Sequence, residues 1–290
     1  MRYIFFSIVA MYCVSFFSSC KEVGPEINLH GSGAIADTTY VESPVATPAA
    51  KTVLIEEFTG VQCPNCPAGQ TLVAGLETQY PGKIADIALH PNNTLGVPFP
   101  FSVQNLIEPN STALLTYLRN PGFEPSAGID RQLFSTESYI LTNRTSWSGY
   151  VQQELMLTPQ VNIVLSDQYS PATGQVNVIA ELHYIQAPSQ PNNITIALTE
   201  DSIVTAQLDG TIVDTFYVHN NVLRTLFNNT TGDNVAYNAS VSLTAGTVVR
   251  LVYSTTLDAL WRPEHMHIVA FVHEHATSQV VYQAAVIKLN

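Results

Sequence analysis

Two cysteines three positions apart, Cys63 and Cys66 in "EEFTGVQCPNCPAGQ", constrain this chain more than any other feature. The residues before them, "TVLIEEF" at 52–58, are apolar and β-branched and read as a buried strand. After them Leu72, Val73, Leu76 and Tyr80 recur at helical spacing, and Pro81-Gly82 stops the helix. "KIADIALH" at 83–90 reads as a second strand. Strand, helix and strand favour a parallel pair joined by a right-handed crossover. The cysteine pair thus lies where a strand gives way to a helix N-terminus. A thiolate there is stabilised by unpaired backbone N–H groups and the helix dipole, which lowers its pKa. In a redox reading Cys63 is the exposed nucleophile, and Cys66 is the resolving thiol that attacks the mixed disulfide.

A redox pair, a structural staple and a metal clamp are all open to a CxxC. The N-terminus narrows the choice. It reads "MRYIFFSIVAMYCVSFFSSC": one Arg, an apolar run from Tyr3 to Phe17, small residues, then Cys20. That is the layout of a signal peptide over residues 1–19. The run is shorter than the ~20 residues that span a bilayer. Ser18-Ser19 before Cys20 resembles a bacterial lipoprotein processing site, which implies that Cys20 is the acylated first residue of the mature chain. Several acyl chains hold a protein on a membrane far better than one. Cys13 leaves with the signal peptide and Cys20 carries lipid, so Cys63 and Cys66 remain, in an exported chain where disulfides persist. No second cysteine pair exists to complete a four-ligand zinc site. The loop between the two cysteines is too short for much chain-entropy gain, which weakens the staple. No metal or other cofactor is expected.

Residues 20–51 are rich in Gly, Ser, Thr, Ala and Pro without apolar period and read as a flexible tether. Residues 91–110 form an irregular excursion rich in Pro and Asn. "STALLTYLRN" at 111–120 is helical, begun by its Ser. "SAGIDRQLF" at 126–134 reads as a strand, and "SWSGYVQQELML" at 146–157 as a closing helix. After Pro159 the texture changes. "QVNIVLS", "QVNVIAELHYI", "NITIALTEDSIV", "NVAYNASVSL", "TVVRLVYS", "HIVAFVHE" and "QVVYQAAVIKL" are short strands with turn residues between them. They predict an all-β, immunoglobulin-like sandwich over 158–290, after an α/β domain over 52–157.

Two further residues extend the redox reading through resemblance. Glu57 stands six residues before Cys63, where thioredoxin-like proteins carry a buried acid that takes the proton of the inner cysteine; read from the strand alone, it is equally an exposed carboxylate, because Glu56 alternates with it. Phe58 follows it, as an aromatic does there. Pro125 in "FEPSAGIDR" resembles the cis-proline that faces the dithiol and holds substrate main chain. Gln62 stands where thioredoxins usually have Trp. The pieces "FTGVQCPNCP", "ALHP", "GFEPSAGIDR", "YVHNNVLR" and "AFVHEHATSQVVYQAAV" resemble the bacterial outer-membrane lipoproteins related to the 28-kilodalton outer-membrane antigen. The resemblance implies a thioredoxin-like domain followed by a β-sandwich on a lipid-anchored outer-membrane protein. It also implies a receptor- or adhesin-type role as the alternative to thiol–disulfide oxidoreductase activity.

Net charge is −12, with 11 Lys+Arg against 23 Asp+Glu and no basic run, which argues against a nucleic-acid partner. A membrane through the lipid anchor, and a protein partner or protein thiol substrate, are the expected contacts. His265 with His267, and His273 with His275, each have the spacing that shares a strand face. They either bind a divalent metal with Glu264 or Glu274, or are solvent-facing positions around the apolar "IVAFV". His219 and Arg224 in "HNNVLR" would pin a turn of the sandwich. No GxSxG or GxxxxGK[ST] motif is present.

Overall fold

The computed structural model describes residues 36–290 except 239, 276 and 277. In chain order, β1 is Thr38–Val41 and β2 is Val53–Phe58. Then come α1 (Cys66–Gln79), β3 (Ile84–Leu89), α2 (Pro109–Tyr117), β4 (Ser126–Ile129), β5 (Leu141–Asn143) and α3 (Arg144–Glu154). The rest is strand: β6 (Val161–Ser170), β7 (Gln175–Tyr184), β8 (Asn192–Glu200), β9 (Ile203–Val204), β10 (Gln207–Asp209), β11 (Ile212–Asp214), β12 (Val218–His219) and β13 (Val222–Leu226). It ends with β14 (Asp233–Asn234), β15 (Thr247–Thr256), β16 (Met266–Glu274) and β17 (Val281–Lys288).

The body is a β-rich sandwich with few helices. A four-stranded sheet, β1-β15-β7-β6, faces a nine-stranded sheet, β17-β16-β8-β13-β3-β2-β4-β5, with β14 paired to β8. Period-2 alternation builds the layer between them. Val176, Val178, Ala180, Leu182 and Tyr184 of β7 meet Ile194, Ile196 and Leu198 of β8 and Ile268, Ala270 and Val272 of β16. The opposite parity of β8 and β16 is buried too. Ala197, Val269 and Phe271 pack with Leu114, Leu115 and Leu118 around α2. A strand covered on both faces reads as a continuous apolar run, which explains "IVAFV".

β2 is buried along its whole length because the sheet is covered on both faces there. Val53 and Ile55 face Val73 and Leu76 of α1 and Trp147 and Val151 of α3, while Leu54 and Phe58 face the α2 side. β2 pairs with β3 in parallel, as the strand–helix–strand pattern predicts, and antiparallel to β4.

Four expectations are corrected. The boundary near 157–160 does not separate two compact bodies, because one sheet and one apolar cluster cross it, and residues 36–290 form a single unit. The tether is shorter than predicted: β1 pairs with β15, and Lys51 is buried on Asp130 at 2.8 Å. The second helix is capped by Glu108, whose carboxylate accepts from Ser111 N–H at 2.9 Å, rather than begun by the Ser itself. "NVAYNASVSL" holds only the end of the two-residue β14; turns held by Asn side chains follow, with Asn234 and Asn238 accepting from Ala236 and Ser240 N–H. The signal peptide and Cys20 lie outside the described residues.

Candidate functional site

Cys63 and Cys66 are joined in a disulfide, with Cα atoms 5.4 Å apart. Cys66 is the first residue of α1, and Pro67 occupies the first turn, where its missing N–H would have no partner anyway. Glu57 projects from β2 beneath this turn. Gly69, three residues after Cys66, lies so close that a Cβ on it would stand 2.5 Å from Glu57 Oε1 and 3.2 Å from Pro125 Cβ. Only a glycine lets the helix, the carboxyl group and the proline meet there. Glu124–Pro125 is a cis peptide. The structure therefore brings Cys63, Cys66, Glu57 and Pro125 into one corner.

Glu56 does not leave Glu57 as the lone buried acid. Both are 1% exposed. Glu56 faces the α2 side and is held by Arg131 through two 2.7 Å bonds. Glu57 Oε1 has no hydrogen-bond partner. Burial, and then the charge of Asp86, push the Glu57 carboxyl well above the usual range. Both causes favour the protonated form of Glu57 over the charged one. Next to Pro125, burial lifts Glu124 to about 7, against the opposing hydrogen bond from Asn93.

Cys63 is not exposed, which corrects the expected nucleophile. It is 1% exposed, and Cys66 0%. A cover built from residues 203–219 explains this. β9 pairs with β12 and β10 with β11, making a two-tiered hairpin that turns at Gly210, whose φ is +57°. The hairpin is bonded to the backbone of the cysteine loop. Gln207 Nε2 donates to the carbonyls of Gly60 (3.2 Å) and Cys63 (3.1 Å), Leu208 N–H to Val61 (2.8 Å) and Gly210 N–H to Pro64 (2.9 Å). From the other side the 91–108 excursion closes in, with Gln62 N–H donating to Leu95 at 2.8 Å. Gln207→Ala is expected to quicken reduction of the disulfide by a small thiol roughly fivefold, the equivalent of about 1 kcal/mol for a lost hydrogen bond. Stopped-flow thiol quantification measures it, and an unchanged rate would show that the hairpin is not the barrier.

Beside the cover, His90 and His219 are buried with ring centroids 5.9 Å apart, and none of their ring nitrogens has a hydrogen-bond partner. Burial lowers His90 to about 3 and His219 to about 4, so both are neutral near pH 7. Tyr217 stacks edge-on against His219 at 4.8 Å and donates its hydroxyl to Gln70 of α1 at 2.6 Å.

The sequence profile described as "Outer membrane protein Omp28" matches residues 113–289, more than half of the chain. The chain belongs to the Omp28 outer membrane protein family. Its membership places it at the outer membrane. The matched span of this Omp28 chain includes Pro125, the hairpin and the sandwich; the cysteine pair lies before it. No curated protein sequence matches. Among solved structures, HBP35 of Porphyromonas gingivalis is similar at 17% identity and a TM-score of 0.62, covering 84% of this chain and 77% of that one. Protein AGR_C_4864 from Agrobacterium tumefaciens is similar at 12% identity and a TM-score of 0.50, covering 84% and 97%. A domain of the outer membrane lipoprotein Omp28 from Porphyromonas gingivalis aligns at 20% identity and a TM-score of 0.31, over 46% and 89%. At these identities the first two likenesses concern the fold.

The late histidines of the Omp28 chain do not form the expected pairs. His265 closes a 3-10 turn, Pro263–His265, ahead of β16, and His275 lies beyond the end of that strand. His273 is buried and bonded to Thr195 Oγ1 at 3.0 Å, so it is no solvent-facing position. His267 stands 3.5 Å from Asp201. Among the described residues, no group of three or more His, Cys, Asp or Glu is arranged to hold a metal. In "HNNVLR", Arg224 does pin the fold, donating to Glu200 and Gln104 at 2.8 Å each, whereas His219 does not. Three neighbours of the corner escaped the sequence reading: Asp86, Tyr217 and Gln207. Asp86 alone left a signal, as the one acid inside an apolar strand.

Proposed function

We propose that this Omp28-family protein is a lipid-anchored outer-membrane protein whose thioredoxin-like corner exchanges thiols and disulfides with envelope proteins, with the sandwich as its interaction module. One observation carries the reading: a buried carboxyl group without a partner, Glu57, lies under the helical turn that bears the disulfide and against Pro125. A mere staple needs no such group, and an unpartnered buried acid is costly.

In the oxidising direction a substrate thiolate attacks Cys63 Sγ, and the Cys63–Cys66 bond breaks. Cys66 leaves as a thiolate and takes the proton held by Glu57. A second substrate thiolate then attacks the substrate sulfur of the mixed disulfide. Cys63 leaves as a thiolate, the substrate departs as a disulfide, and its two electrons stay on the dithiol. In this reading Pro125, after its cis peptide bond, lines up substrate main chain. The reducing direction runs the same steps backwards.

The test is oxidation of a reduced dithiol peptide by the purified full chain in detergent, with Cys63→Ser as control. The expected result is turnover in the parent and none in the variant. Equal rates with and without protein would sink the reading. The second reading, a receptor- or adhesin-type lipoprotein with a silent dithiol, draws on the burial of both cysteines. It expects surface partners to bind the parent and the double serine variant alike.

A further inference from the structure

Behind the dithiol corner lies an acidic passage that the exchange steps above leave unused. The parallel register sets Glu57 beside Ala88 and Asp86 beside Ile55, so both carboxyls project from the same face of the sheet, under α1. Asp86 is 6% exposed. Its Oδ1 has no partner, and its Oδ2 accepts from Asn221 Nδ2 at 3.1 Å. The same amide nitrogen donates to Glu77 Oε1 of α1 at 3.1 Å. Asn221 is fixed in turn. Its φ is +54°, its N–H donates to Asp201 Oδ1 at 2.8 Å, and its carbonyl accepts from Ala88 N–H at 2.8 Å.

Two cavities meet at this group. One of about 180 Å³ is lined by Glu57, Glu77, Asp86, Tyr217 and Asn221. The other, of about 420 Å³, is lined by Glu77, Asp86, Asn221, Asp201 and His267. Both exceed the roughly 30 Å³ that one water occupies. Asp86, Glu77 and Asn221 line both, so they form the partition between the Glu57 chamber and the larger cavity.

We infer that Asp86, Glu77 and Asn221 form a proton conduit that connects Glu57 with solvent, Asp86 exchanging the proton with Glu57 and Asn221 positioning both outer acids. The inference rests on the exchange reading and adds the step that reading lacks. When Cys66 leaves as a thiolate it takes the Glu57 proton. Glu57 then recovers one from Asp86, and Asp86 from water beside Glu77. In the reducing direction the proton moves out the same way. The groups facing Asp86 are Glu57 from β2, Glu77 from α1, Asp201 after β8 and His267 from β16, with Tyr217 near Glu57; no Lys or Arg lines either cavity. A structural role does not account for this arrangement, since Asn and Gln would fill it without like-charge repulsion. Burial, and then the charge of Glu77, raise Asp86 well above the usual range despite the Asn221 bond, which suits a carrier of protons.

The experiment compares the full chain with Asp86→Asn, Glu77→Gln and Asp86→Glu in single-turnover reduction by dithiothreitol across pH. Carboxyl NMR follows the Glu57 titration alongside. Asp86→Asn is expected to slow reduction about tenfold near neutrality and flatten its pH profile, a modest share of what general acid–base catalysis supplies. Glu77→Gln acts in the same direction, and Asp86→Glu restores the rate. Loss of the neighbouring charge also lowers the Glu57 titration midpoint in Asp86→Asn. An unchanged pH profile and an unmoved Glu57 titration in Asp86→Asn overturn the conduit. A parent that reacts with dithiothreitol but exchanges with no protein thiol overturns the exchange reading instead.

Discussion

Arg131→Ala is expected to cost the fold about 3–5 kcal/mol, the usual penalty for breaking a buried ion pair from one side. Arg131 is fully buried and grips Glu56 with two 2.7 Å bonds. Its guanidinium lies 4.8 Å from the Phe271 ring centroid and 5.8 Å from that of Tyr117. It thereby joins β2 to β16 and to the end of α2, three elements far apart in sequence. Truncation leaves the Glu56 carboxylate in an apolar layer with no cation, together with a void between two rings. Urea unfolding measures the loss as a shift in midpoint. The pair replacement Glu56→Gln with Arg131→Met should recover most of it, because no lone charge is left behind. A loss under about 1 kcal/mol for Arg131→Ala would mean that Glu56 finds water or takes up a proton at no cost.

Cys66→Ser is expected to accumulate mixed disulfides with envelope proteins, where Cys63→Ser accumulates none. The asymmetry follows from position. In Cys66→Ser the remaining thiol, Cys63, forms the bond to substrate and nothing resolves it. In Cys63→Ser the remaining thiol, Cys66, is fully buried as the first residue of α1, and in the proposed order of attack it meets only Cys63. Non-reducing gels of whole-cell envelopes read the difference directly. Trapping requires Gln207–Gly210 to lift from the cysteine loop, so the yield should rise further when Gln207→Ala is added. Equal trapping by both serine variants would remove the proposed order of attack.

Local signals carried much of this architecture. The run 52–58, the helical spacing after Cys66 and the strand at 83–90 each needed only neighbours in sequence to be read, and each lies where the pattern put it. Most of the strands after residue 160 were legible for the same reason, with "NVAYNASVSL" the exception, since its apolar residues belong to turns held by Asn side chains. What escaped was long-range. The bonds from Gln207 to Gly60 and Cys63 span more than 140 residues, and nothing near "GVQCPNC" announces a cover. The supposed exposure of Cys63 failed on that account. The shared sheet escaped too, because β8 and β16 present apolar residues on both faces and alternation cannot say what covers the second face. Asn221 was visible as part of "HNNVLR", but its amide matters through Asp86 and Glu77, which lie on elements far upstream.

β1 closes part of a sheet margin. Its four residues run along Thr247–Arg250 and form the outer rung of the four-stranded sheet. A protein trimmed to begin at Thr52, where the first strong strand pattern starts, would lose that rung. The backbone donors and acceptors of β15 would then face water along an open margin, the usual template for another chain to add itself. Those four residues therefore occupy the Thr247–Arg250 stretch of β15, and that stretch is closed to an added chain for as long as β1 stays paired there.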